Sequence, residues 1–220
     1  GIRKKLDVIM EAEKNKNGSK INSELSANSL EQLCRKFKLE IKNSIGEDFP
    51  DDPHIQLWGS ITAVFRSWNG KRAVSYRNIE KIPHQWGTAV NVQAMVFGNM
   101  GDGCATGVAF TRNPSTGENN FYGEWLPNAQ GEDVVAGLRT PNPLNKLNSS
   151  SNLKRLISLE EYMPEIYNEL DDIQRQLEKH YKDMQDIEFT IQSGRLWMLQ
   201  TRTGKRNGFS AVRIAIEMLE

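Results

Sequence analysis

The stretch Asp186 to Lys205, DIEFTIQSGRLWMLQTRTGK, constrains this chain more than any other. Ile187, Phe189 and Ile191 alternate with Asp186, Glu188 and Thr190, the period of a half-buried strand. Gln192-Ser193-Gly194 breaks the run and Leu196 to Arg202 resumes it, so a hairpin is predicted. A three-residue loop with Gly194 in the left-handed region would fix the parity of both strands. One face then carries Ile187, Phe189, Ile191, Trp197, Leu199 and Thr201 and forms a core. The other carries Asp186, Glu188, Thr190, Met198, Gln200 and Arg202.

That second face needs a reason. Carboxylates and an amide oxygen are hard ligands suited to magnesium, which takes few side chains and completes its shell with water and substrate phosphates. An arginine two residues past the amide can clamp a phosphate with paired hydrogen bonds. The combination describes a site for a magnesium-nucleotide complex. The plainer alternative is an amphipathic hairpin whose polar face meets water, as in many antiparallel sheets.

Lysine plus arginine and aspartate plus glutamate both number 28, so no charge imbalance argues for nucleic acid or a membrane surface. Apolar runs fall far short of the roughly 20 residues that span a bilayer, and a secretory signal is not expected. Cys34 and Cys104 form no metal-ligand spacing, and a reduced, intracellular protein is expected. The chain opens on Gly1 and closes within an apparent helix, so a piece of something longer is expected.

Residues 1–69 are predicted to be mainly helical. Leu6, Ile9 and Met10 mark a first stripe ended near Gly18, and Ser29 with Gln32 fits a capping box before Leu33 and Phe37. Asp52-Pro53 starts a third helix, whose Leu57, Trp58, Ile61, Val64, Phe65 and Trp68 are expected in the core. A short fourth helix is placed at 72–82. His54 and His84 have no ligand-spaced Cys, Asp or Glu and are assigned to no metal, and His180, with no small glycine-rich loop around it, is expected to be a surface or flanking residue rather than a phosphocarrier. From residue 88 the period changes: Ala89 to Phe97 reads as a strand, joined through glycine-rich 98–107 to a second strand at 108–111, a hairpin over 88–112. Such a loop lets backbone N–H groups approach an anion, or is simply a tight, mobile turn. Phe121 to Leu126 is a further strand bearing Glu124. Glu132 and Asp133 follow; adjacent acids are usually solvated but can bind ribose hydroxyls. Asn142 to Asn152 reads as a loop, 159–184 as a long amphipathic helix whose regular part is expected to start at Pro164, and 211–219 as the start of a last one.

The phrases FTRNPSTGE, NAQGEDVVAG, DMQDIEFTI and LQTRTGKR closely resemble the pyruvate, phosphate dikinase family. The resemblance spans nearly all of the chain but only the middle and end of the family's N-terminal nucleotide-binding domain. It implies an α+β, ATP-grasp-like fold with an antiparallel or mixed sheet and flanking helices, cut as a partial domain. A helical part at 1–69 would precede a nucleotide-binding part at 70–206, with a linking helix from 207.

The resemblance also implies a chemistry. ATP passes its β-phosphoryl group to a carrier histidine on another domain and its γ-phosphoryl group to inorganic phosphate, and the phosphohistidine then interconverts pyruvate and phosphoenolpyruvate. Matched by motif, Glu188 and Gln200 would hold Mg2+, Arg202 would bind the phosphates, and Asp186 would support that network. Glu124, Glu132 and Asp133 would lie on the nucleoside side, with Thr106 and Gly107 in the loop over the phosphates. The family usually reads Ser-Gly-Thr-Gly where this chain has Cys104-Ala105-Thr106-Gly107, so Ala105 would be strained if its position needs a positive φ. The family's phosphate-binding lysine and arginine precede the matched region, and each would add about 1.5–3 kcal/mol. The chain alone is therefore expected to bind nucleotide weakly and to show little or no ATPase activity. A cytoplasmic location, or an organelle in a eukaryote, and a homodimer formed through other regions complete the expectations. A non-catalytic nucleotide-binding or docking module is the rival reading.

Overall fold

A computed structural model describes residues 1–20, 22–135, 137, 139–146 and 156–219. They fall into two compact units, 1–93 and 94–220.

The first unit is helical: α1 (Ile2–Asn17), α2 (Ala27–Ile45), α3 (Pro53–Ser67) and α4 (Lys71–Glu80). Gly18 and Gly46 end α1 and α2 in the left-handed region, where a missing Cβ removes the strain. The cap of α2 is Ser26, whose side chain accepts from Ser29 N, so the helix starts earlier than a Ser29–Gln32 box requires. Ser29 Oγ instead donates to Asn17 Oδ1 and ties α2 to α1. Asp52 caps α3 as expected, accepting from His54 N and Ile55 N. The expected burial of α3 fails: none of its residues is buried, and Trp58 and Phe65 are 66% and 50% exposed. Helical spacing marks an apolar face but supplies no partner for it, and the close helix pairing in this unit is α1 on α2.

The second unit is one antiparallel sheet of order β3-β2-β1-β4-β5 with helices packed on it. Its strands are β1 (Ala105–Phe110), β2 (Tyr122–Pro127), β3 (Asn142–Pro143), β4 (Gln185–Gln192) and β5 (Arg195–Thr203). Its helices are α5 (Gly131–Val135), α6 (Leu159–Tyr162), α7 (Pro164–Tyr181) and α8 (Gly208–Glu217). The regular helix starts at Pro164 as expected, since proline cannot donate the next helical bond, and the residues before it form the separate α6. Part of the expected 142–152 loop is the short strand β3, paired with Glu124 and Trp125; residues 147–155 lie outside the described residues.

The hairpin expected over 88–112 does not form. No strand occupies 89–97, and the glycine loop leads into β1 alone. β1 is flanked by β2 on one edge and β4 on the other, so neither edge is free for a third strand. The core lies on one face of the sheet, where Ala105, Ala109, Trp125, Ile187, Phe189 and Ile191 meet Leu159 of α6 and Leu170 of α7. Ile166, Ile173 and Leu177, partly buried, extend the apolar stripe of α7 around Leu170. Arg112, just past β1, pairs with Glu178 of α7 and Glu217 of α8 and fixes both helices to the strand end.

Candidate functional site

The opposite face of the sheet carries the polar set. Alternation along β4 sends Ile187, Phe189 and Ile191 to the core and Asp186, Glu188 and Thr190 to the other side. The return into β5 is a two-residue turn, Ser193-Gly194, with φ of 52° and 76°, rather than three residues. Two left-handed residues match the twist of a tight hairpin. With that turn, Ile191 pairs with Leu196, Thr190 with Trp197 and Phe189 with Met198. The ladder then shifts by one residue at Leu199, so that Glu188 pairs with Gln200 and Asp186 with Arg202.

The turn is one residue shorter than expected and the bulge takes up that residue. Asp186, Glu188, Gln200 and Arg202 therefore share one face as predicted, while Trp197 and Met198 exchange places. Met198 packs on the core, and Trp197 lies on the polar side with the Arg195 guanidinium 4.3 Å from its ring centre.

Arg202 Nε donates to Asp186 Oδ2 at 2.7 Å, and Arg202 Nη2 lies 3.8 Å from Glu188 Oε1. The hydrogen bond that Arg202 donates to Asp186, and then the Asp186 charge, raises the Arg202 pKa above the ordinary value, with the Glu188 charge adding to it. The guanidinium is thus a fixed positive charge. Asp186 is tucked in at 8% exposure, while Glu188, Gln200 and Arg202 remain open to solvent. Glu124 of β2 joins the same row: it pairs with Val108, which pairs with Glu188. The row Glu124–Val108–Glu188–Gln200 offers oxygen donors from three strands, with Arg202 one row on.

The remaining expected residues sit elsewhere. Thr106 is buried within β1 and its hydroxyl donates to the Phe189 carbonyl. Gly107 is on the core face, where a Cβ would lie 2.4 Å from Phe189 Cζ. Glu132 and Asp133 are on α5, and Asp133 Oδ2 accepts from Gln130 N. Ala105 is a paired strand residue without positive φ; the left-handed positions of the glycine loop are Gly101 and Gly103. The loop is stitched to the hairpin turn by Gly194 N to Gly103 O and Ser193 N to Cys104 Sγ, and Gly101 N donates to Asn128 Oδ1.

Sequence reasoning missed the polar contacts at the open end of the hairpin. Asp183 and Arg206 form a two-pronged ion pair, and buried Gln185 accepts from Thr201 Oγ1. Only the pairing register reveals them.

Among the described residues no group of three or more His, Cys, Asp and Glu could hold a metal ion, and no helix is long and apolar enough to cross a membrane. Two facing oxygen side chains beside a guanidinium still suit a magnesium ion that draws its other ligands from phosphates and water. A hollow of about 1040 Å3 beside α7, near Arg112, Tyr167 and Gln174, contains none of the expected site residues.

Fold and site together define an α+β domain whose antiparallel sheet has one core face and one face of oxygen donors beside a fixed cation. The chain belongs to the family described as pyruvate phosphate dikinase, AMP/ATP-binding domain, whose model matches residues 15–163 and 154–220. It is 54% identical to a pyruvate, phosphate dikinase of Rhizobium meliloti (strain 1021) over 96% of this chain and 24% of that protein. It is 50% identical to that of Clostridium symbiosum over 96% of this chain and 23% of that protein. A chloroplastic relative from Mesembryanthemum crystallinum is 52% identical over 100% of this chain and 21% of that protein. The chain thus spans about a quarter or less of the length of these relatives.

Proposed function

We propose that this chain is the part of a pyruvate, phosphate dikinase that holds the phosphates of ATP, in an ATP-grasp-like fold. The observation that carries the reading is the convergence of Glu188, Gln200, Asp186 and Arg202 on one sheet face through a bulged register. Glu188 and Gln200 would hold Mg2+, which when bound would supply positive charge to offset that of the phosphates. Arg202 binds the phosphate chain and the charge that develops on it during transfer. Asp186, already bonded to Arg202 Nε, leaves the outer guanidinium nitrogens for the phosphate. Glu124, Glu132 and Asp133 serve the nucleoside side. Thr106 and Gly107 belong to the strand end that carries the glycine loop over the phosphates.

In the whole protein the β-phosphoryl group passes to a carrier histidine on another domain, with AMP and pyrophosphate as by-products and pyruvate and phosphoenolpyruvate as the second pair. The chain by itself binds nucleotide weakly and does not complete that reaction. The location is cytoplasmic or organellar, in keeping with relatives named chloroplastic, and the parent assembles as a homodimer through other regions.

Calorimetric titration with Mg-ATP tests this reading, beside Arg202→Ala and Glu188→Ala. Weak binding that both substitutions abolish is the expected result. Binding that survives both would overturn the site. No binding at millimolar nucleotide would mean that the chain needs the rest of its protein to form the cleft.

A further inference from the structure

Residues 200–203 read Gln-Thr-Arg-Thr, with no apolar side chain in either parity. Hydrophobic patterning fixes register wherever one face is buried, and it cannot do so here. A competing register is close at hand. If the Leu199 bulge were absorbed into the ladder, Glu188 would face Leu199, Ile187 would face Gln200 and Gln185 would face Arg202. That ladder is continuous, whereas the observed one carries a bulge, which leaves a residue unpaired. The slipped form would turn Gln200 and Arg202 to the core side, away from Glu188 and Asp186.

Something must therefore hold the bulged form, and the open end of the hairpin has the means. Arg206 Nη1 and Nη2 donate to Asp183 Oδ1 and Oδ2 at 2.6 and 3.1 Å, a fork that fixes direction as well as distance. The Gln185 side chain is 2% exposed; its Oε1 accepts from Thr201 Oγ1, and its Nε2 donates to the Asp183 and Met184 carbonyls. Gly204 N donates to Met184 O, an approach so close that a Cβ on Gly204 would lie 2.6 Å from Met184 Cγ. The Asp183–Arg206, Gln185–Thr201 and Met184–Gly204 contacts each join the β4 side of the hairpin's open end to the β5 side, and a one-residue slip would break these three.

We propose that Asp183–Arg206 and Gln185–Thr201 form a register lock, positioning residues that keep Gln200 and Arg202 on the face of Glu188 and Asp186. The lock rests on the nucleotide reading only for its consequence; the register itself is independent of any ligand. Neither pair needs to touch the nucleotide.

The test is the double variant Arg206→Met/Thr201→Val of this chain, read in two ways. Interstrand NMR contacts report whether Glu188 faces Gln200 or Leu199, and calorimetry reports Mg-ATP affinity. The expected result is a shift to the Leu199 pairing and a loss of affinity of at least about tenfold, the scale of one lost charge-assisted contact. Deleting Leu199 in the same background should restore both readouts, because a continuous ladder without that residue pairs Glu188 with Gln200. Arg206→Met paired with Thr201→Ser, which keeps the hydroxyl, should lose less than the double variant. Glu188 still facing Gln200 in the double variant would overturn the lock, as would failure of the Leu199 deletion to restore that pairing. A shifted register with unchanged affinity would sink the nucleotide reading and leave the lock standing.

Discussion

Residues 89–97 and 186–203 carry the same kind of signal and meet different fates. Both read as strands beside a glycine-bearing turn: 186–191 alternates apolar and polar side chains, and 89–97 alternates over Val90 to Ala94 and then runs apolar to Phe97. The second is a hairpin whose Ile187, Phe189 and Ile191 are wholly buried. The first is no strand, and its Val92 and Met95 are 67% and 75% exposed. Alternation measures whether a segment could lie in a half-buried sheet; an open edge decides whether it does. β4 and β5 are joined by a two-residue turn and supply each other's edge. The segment before β1 finds that strand already paired on both sides.

The sharpest way to break this contrast is to remove the close approach on which β1 depends. Gly107 sits between Phe189 and β2, with room for no side chain: a Cβ would come within 2.4 Å of Phe189 Cζ and 2.7 Å of the Glu124 carbonyl oxygen. The carbonyl is backbone and cannot swing away. Gly107→Val should cost about 4 kcal/mol, at the upper end for single substitutions. Thermal unfolding followed by circular dichroism would check this, and a loss below about 1 kcal/mol would mean that the strands can separate to admit a side chain.

The partner in that contact gives the next effect. Phe189 is wholly buried in the centre of the core. Phe189→Ala should cost about 3–5 kcal/mol through lost burial and the cavity left behind. Urea denaturation would read it as a lower midpoint with an unchanged slope.

These two cases mark how much the sequence could convey. Ile187, Phe189 and Ile191 announced β4, its core face and, by parity, the polar side of Asp186 and Glu188. Placing Gln200 and Arg202 beside them took two compensating errors: a turn counted one residue too long and a bulge not foreseen. Bulges leave no composition signal, so Trp197 and Met198 were assigned to the wrong faces. For α3 the apolar spacing was legible and the absence of a partner was not. Gly107 read as a loop residue because glycine signals turns and close packing alike, and only the neighbouring Phe189 ring separates the two.

A smaller effect sharpens the comparison at Phe97. Phe97 N donates to Gln192 Oε1 at 2.7 Å, so the end of the unpaired segment hangs on the hairpin through a side chain instead of a ladder. Gln192→Ala should cost about 1 kcal/mol, the net worth of one hydrogen bond. The same change should speed amide exchange at Phe97 while the Glu188–Gln200 pairing stays as it is. Slowed exchange, or none, would mean that the segment is held by something other than Gln192.

The smallest expected effect is the most direct comparison of the two alternating runs. Met95 is 75% exposed and belongs to no strand, whereas Ile187 is wholly buried in β4. Met95→Lys should change stability by less than about 0.5 kcal/mol, as surface substitutions usually do. The same replacement at Ile187 would bury a charge with no partner and should prevent folding at ordinary temperature. Circular dichroism of both variants checks the pair: a cooperative melt close to that of the unsubstituted chain for Met95→Lys, and no cooperative transition for Ile187→Lys. A large loss at Met95 would show that this side chain is covered in solution, and that 89–97 packs as its apolar content suggests.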